Sequence, residues 1–169
     1  MEVNKLPRLN FEDNETGCCP RFDPEPWNEK EFVFEDKLFL KSGTINFMHM
    51  PLNMKSMMNK TWKKILDADA DSEEEFAILS YDPSPWRSEH YFTVTNEVPN
   101  GDNVKMSGRF LTKVFEGPYR DAGKWVQVME EYVKSNNEEI DKLYFYYTTC
   151  PKCAKHYGKN YVVGFARVK

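Results

Sequence analysis

At 169 residues the chain has room for one domain, or for two small modules sharing a core, and its 40% hydrophobic content with 15% aromatics is too rich for a disordered polypeptide. A net charge of −4, from 23 basic and 27 acidic side chains, argues against a nucleic-acid partner, which requires a concentrated basic surface. No basic-then-apolar leader and no apolar run of about 18 residues occurs, so the expectation is a cytoplasmic protein with no membrane partner and its cysteines reduced.

Residues 1–31 are rich in Pro and acid, and "CCPRFDPEPWNEKEF" reads as an irregular arm that docks through Trp27. Residues 32–50 read as extended, broken near Ser42 and Gly43. In "PLNMKSMMNKTWKKIL", Met54, Met57, Met58, Thr61, Trp62, Ile65 and Leu66 recur at helical spacing with lysines opposite, and Asn53 is the expected N-cap. "DADADSEEE" is a solvated acidic loop; as an EF-hand it lacks the Gly and the final Glu, which Ser72 and Ile78 replace. The strands "FAILSY" and "HYFTVTNEV" follow, joined by "DPSPW".

The same order recurs. "GRFLTKVFEG" is a strand, "RDAGKWVQVMEEYV" a helix with Trp125, Met129 and Val133 on one face, and "KLYFYYTT" and "YVVGFARV" are strands. A shift of 67 residues pairs Pro51 with Pro118, Met58 with Trp125, Trp62 with Met129 and Leu66 with Val133. The fold class is therefore α+β: tandem strand-helix-strand-strand modules, about 38–98 and 104–169, within a single domain of residues 32–169.

Gly117, Pro118, Tyr119 and Trp125, in "SGRFLTKVFEGPYRDAGKW", resemble the second half of the GyrI-like (gyrase-inhibitor-like) small-molecule-binding domains, in the stand-alone branch similar to cyclopropanoid hydrolases. That resemblance implies pseudo-twofold symmetry and a groove between two helices that takes an aromatic or cationic small molecule. In the hydrolase branch it implies water directed onto a strained three-membered ring. The strand that presents a pocket acid in the family reads "LYFYYTT" here, and Phe115 stands where a histidine is frequent.

The repeat aligns His49 with Glu116, two residues before Pro51 and Pro118, and a facing imidazole and partly desolvated carboxyl would suit proton transfer near neutral pH. Glu116 with Tyr144 and Tyr146 is the expected catalytic set, the phenols donating to the carbonyl that takes up charge. His49, Met54, Met58, Trp62, Tyr119 and Trp125 are the expected ligand-binding residues, though Met and Trp at this spacing also build ordinary cores. Cys150 and Cys153 have the spacing of half a zinc site, which Cys18 and Cys19 or His156 could extend. The ten acids in residues 1–36 and five bases without acids in residues 150–169 would favour that contact. Following a strand into a loop, the pair is equally a hairpin bend, and a redox role would require a helix start. Three functions remain open: hydrolysis of a small xenobiotic-like electrophile with no required cofactor, non-catalytic sequestration or sensing of a hydrophobic or aromatic ligand, and a structural zinc staple.

Overall fold

The computed structural model describes residues 2–9, 20–149 and 151–169, with backbone alone at 151 and 152. Its elements run β1 (Glu31–Phe47), β2 (Met50–Pro51), α1 (Met54–Asp67), β3 (Ile78–Ser84), β4 (Arg87–Thr93), β5 (Asp102–Glu116), α2 (Ala122–Ser135), β6 (Ile140–Tyr147), α3 (Pro151–Tyr157) and β7 (Tyr161–Val168). Gly43 does not break the first strand as expected, because it stays in register opposite Glu89. An irregularity between Phe34 and Lys37, with Asp36 at φ 50, bends β1 so that residues 31–41 pair with β5 and residues 39–45 with β4. The antiparallel order β2-β1-β4-β3-β6-β7-β5, joined by this β1–β5 ladder, closes a sheet barrel.

Opposed residues in such ladders share a face. Leu40, Phe92 and Ile78 lie on the outer face under α1, which buries Met57, Thr61 and Ile65. Leu111, Phe115, Val162 and Ala166 lie under α2, which buries Trp125, Met129 and Val133. Gly164 gives α2 its close approach: a Cβ there would sit 2.7 Å from the Met129 sulfur. The two buried helix sets stand 68 positions apart (Met57 to Trp125), not 67, so half-exposed Leu66 is not the counterpart of Val133. Asn53 precedes α1 without capping it; its Oδ1 instead accepts from the Ile45 amide at 2.9 Å.

The inner face is aromatic, with Phe34, Phe39, Tyr91, Phe110, Tyr144 and Phe165 in one cluster. The N-terminal arm plugs it. Trp27 is 1% exposed, with its ring 5.4 Å from Tyr146 and 5.9 Å from Phe165, while the Thr112 hydroxyl donates to the Trp27 carbonyl. The arm thus covers the barrel interior rather than the helix side.

The stretch after β6 departs from expectation. A helix, α3, begins at Pro151, a residue whose fixed φ suits a first turn, so Cys153 sits on a helix rather than in a plain hairpin bend. Cys153 is buried; Cys18, Cys19 and Cys150 lie outside the described residues. Among the described residues no three His, Cys, Asp or Glu side chains gather as a metal site would require, and His156 faces the Tyr157 ring at 5.3 Å.

Candidate functional site

Between the areas covered by α1 and α2, β3 meets β6 through the registered pair Ser80–Phe145. The outer face there carries buried polar side chains in place of the apolar sets under the two helices. Ladder register places Thr44 and Asn46 of β1, Ser88 and His90 of β4, Ser80 of β3 and Phe145 of β6 on this face. Thr44, Asn46, Ser80, Ser88 and His90 are all buried, so each must find a partner.

They satisfy one another in a chain whose direction the donor inventory fixes. The Asn46 amide nitrogen donates to Ser88 Oγ, and Asn46 Oδ1 accepts from the Thr44 hydroxyl at 3.0 Å. Thr44 has then used its proton, so its oxygen accepts from His90 Nε2–H at 3.1 Å. His90 Nδ1 is left bare and accepts from Ser80 O–H at 2.8 Å. Desolvation holds the imidazolium pKa down at about 4, against a smaller opposing pull from Asp82, so His90 is neutral at physiological pH. The arrangement is a serine hydroxyl on a neutral imidazole whose tautomer is fixed from behind. Such a pair can take a proton from a group or water at Ser80.

Around this floor the expected binding residues divide. Met54, Met58 and Trp62 form a stripe on the flank of α1, and Trp62 packs edge-on against Phe76, just before β3, at 5.3 Å; the stripe therefore borders the β3 side. Tyr119 lies edge-on to Tyr147 at 5.4 Å and donates to the Thr149 carbonyl at 2.8 Å. Tyr147 has its phenol pushed up to about 12 by desolvation and then by Asp82, and so stays a proton donor. Trp125 is a core residue, stacked 5.6 Å from Phe115 and 5% exposed. His49 belongs to a surface pair, its Nδ1 3.8 Å from Asp82.

The expected catalytic set is not assembled. Tyr144 and Tyr146 have the opposite parity to Phe145 and Tyr147, and point into the barrel; burial pushes Tyr144 up to about 12. Glu116 is exposed at the end of β5 opposite Tyr161. His49 lies past the other end of the β1–β5 ladder, which runs antiparallel from Glu31–Leu111 to Lys41–Asp102, so it does not face Glu116. Sequence reasoning missed Thr44, Ser80 and His90. Their signal was Thr44 and Asn46 on β1 and Ser88 and His90 on β4 at alternate positions, with Ser80 on β3, a shared face visible only once the strands are registered.

The molecule is thus an α+β sheet barrel with a buried serine–histidine pair on its helix-bearing face. Residues 9–168 match the family described as "Bacterial hydrolase", and the chain belongs to that family. No curated protein matches it. An uncharacterized conserved protein from Listeria innocua is similar in structure, with a TM-score of 0.63 at 11% identity over 94% of this chain and 97% of that one. A hydrolase from Listeria innocua has a TM-score of 0.57 at 12% identity, covering 84% of this chain and 93% of that one. SAV2435, solved bound to tetraphenylphosphonium, has a TM-score of 0.50 at 9% identity over 83% and 93% of the two chains.

Proposed function

We propose that this protein hydrolyses a small, flat, hydrophobic electrophile, such as an activated cyclopropane, bound between α1 and α2. The observation that carries the reading is the directed chain Ser80–His90–Thr44–Asn46 at the polar floor. The family match and the GyrI-like resemblance support it, and we read the chain as two strand-helix-strand-strand modules of one domain behind an N-terminal arm, with β2 and α3 as additions to that pattern. The tetraphenylphosphonium bound by the structural neighbour supports a hydrophobic, aromatic ligand.

In the proposed reaction a water donates to Ser80 Oγ while the Ser80 proton moves to His90 Nδ1. The water oxygen bonds to a ring carbon, the strained C–C bond breaks, and its electron pair passes to the conjugated carbonyl, which a phenol such as Tyr147 steadies by donating a hydrogen bond. His90 then returns the proton through Ser80 to the product, so the net change is addition of one water. Thr44 and Asn46 act behind the imidazole as positioning residues.

The test is incubation with a cyclopropane-bearing conjugated ketone, following substrate loss and hydrated product by mass spectrometry against heat-denatured protein. Time-dependent hydrated product is expected. Saturable binding without product would overturn hydrolysis in favour of sequestration.

A further inference from the structure

The β1–β2 hairpin turns through Met48 and His49, both left-handed at φ 47 and 69, a conformation that turn sequences normally give to Asn and Gly. β5 ends its pairing with β1 at Lys41–Asp102, beyond which β1 pairs with β4 as far as Ile45–Arg87 and then with β2 through Asn46 and Phe47. Phe47 pairs with Met50, Leu52 bonds back to the Ile45 carbonyl at 2.9 Å, and Trp86 lies 5.8 Å from Phe47. Ile45, Phe47, Met48, Met50, Leu52 and Trp86 are each between 53% and 69% exposed. Six large apolar side chains this exposed, gathered on one hairpin and the adjoining β3–β4 turn, are not the single scattered hydrophobics of an ordinary surface.

Charge specifies what this tip meets. Beside it opens a trough of about 600 Å³ lined by Leu52, Asn53, Lys55, Ser56, Asn59 and Lys60. Its two ammonium groups, two amides and hydroxyl suit a phosphate-bearing headgroup, and Arg87 sits opposite Ile45 in the ladder. Of the nearby acids, Asp82 lies 3.8 Å from His49 Nδ1 and Glu89 3.7 Å from Lys41 Nζ. This basic tip belongs to a chain whose net charge is −4. Against a second copy, a twofold contact would set Lys55, Lys60 and Arg87 against themselves.

We propose that the β1–β2 hairpin docks on the surface of an anionic lipid bilayer, with Phe47, Met48, Met50 and Trp86 in the interfacial layer and Lys55 and Lys60 on headgroup phosphates. This goes beyond the sequence expectation of no membrane partner, which rested on the lack of an apolar run long enough to span a bilayer. The contact is superficial: no helix among the described residues is long and apolar enough to cross a membrane. It places the methionine stripe of α1 beside the phase in which a hydrophobic ligand would concentrate, and it does not depend on turnover.

The test is co-sedimentation of the full chain with phosphatidylcholine vesicles that contain, or lack, phosphatidylglycerol. Binding to the anionic vesicles, weakened by salt, is expected. Met48→Asp with Met50→Asp should abolish it, and Asp tolerates the left-handed position 48 at least as well as Met, so the fold is retained. Lys55→Gln with Lys60→Gln should weaken binding about 25-fold, at about five-fold per surface lysine. Protein left in the supernatant, equal partition onto neutral vesicles, or a dimer in light scattering that Met48→Asp dissociates would each overturn the proposal.

Discussion

His90 should make the folded state acid-sensitive well above the range in which carboxylates titrate. In the native chain the imidazole is 4% exposed and remains neutral until about pH 4, whereas the unfolded chain protonates it near 6.5. Between those values the unfolded state binds a proton that the folded state refuses. The stabilisation is therefore complete above about pH 6.5, declines as pH falls towards about 4, and is exhausted below that. The full interval corresponds to about 3 kcal/mol, a substantial part of the roughly 5–15 kcal/mol that holds a typical domain together. Urea denaturation from pH 8 to pH 4 would compare wild type with His90→Gln, which cannot take up the proton. The variant should be less stable at pH 8, having lost bonds to Ser80 and Thr44, and the gap should narrow by about 3 kcal/mol towards pH 4. Parallel curves for the two proteins, or an NMR titration of His90 near 6.5, would refute the reasoning.

Other consequences follow from packing and from where the site lies. Trp27→Ala empties the plug of the barrel and should cost about 3–5 kcal/mol in chemical denaturation; a loss under about 1 kcal/mol would show that the arm contributes little. Gly164→Ala would press on the Met129 sulfur and should lower stability by about 1–3 kcal/mol through lifting α2, visible as a reduced Tm. Glu116→Gln changes an exposed strand end and should leave both stability and turnover unchanged, and loss of turnover would return that carboxylate to the mechanism.

Much of the architecture was legible because periodicity survives in a single sequence. α1 and α2 announced themselves at i, i+4 spacing, and the main strands were readable from apolar runs, whereas β2 and α3 were not. Gly43 misled because it is a local breaker whose setting was decided elsewhere, by the β4 ladder, and the loop expected after β6 holds a helix from Pro151 that a seven-residue stretch is too short to announce by periodicity. The candidate site was less accessible. "LYFYYTT" alternates correctly, yet alternation alone does not say which face holds the ligand, and the arm claimed Tyr144 and Tyr146 for the interior. The alignment of His49 with Glu116 suggested a facing pair, but their places at opposite ends of a ladder exclude it. Ser80 and His90, ten residues apart, meet because a hairpin sets them in register, which is information carried by pairing rather than by composition.

The most direct test of the account is turnover by Ser80→Ala, with ligand affinity measured on the same preparation. Removing the hydroxyl breaks the link between water and His90 Nδ1 while leaving the helix flanks intact. The account predicts a fall in kcat of about 10²–10⁴-fold with affinity nearly unchanged. Wild-type turnover in the Ser80→Ala protein would contradict it and move the chemistry away from the floor between the helices.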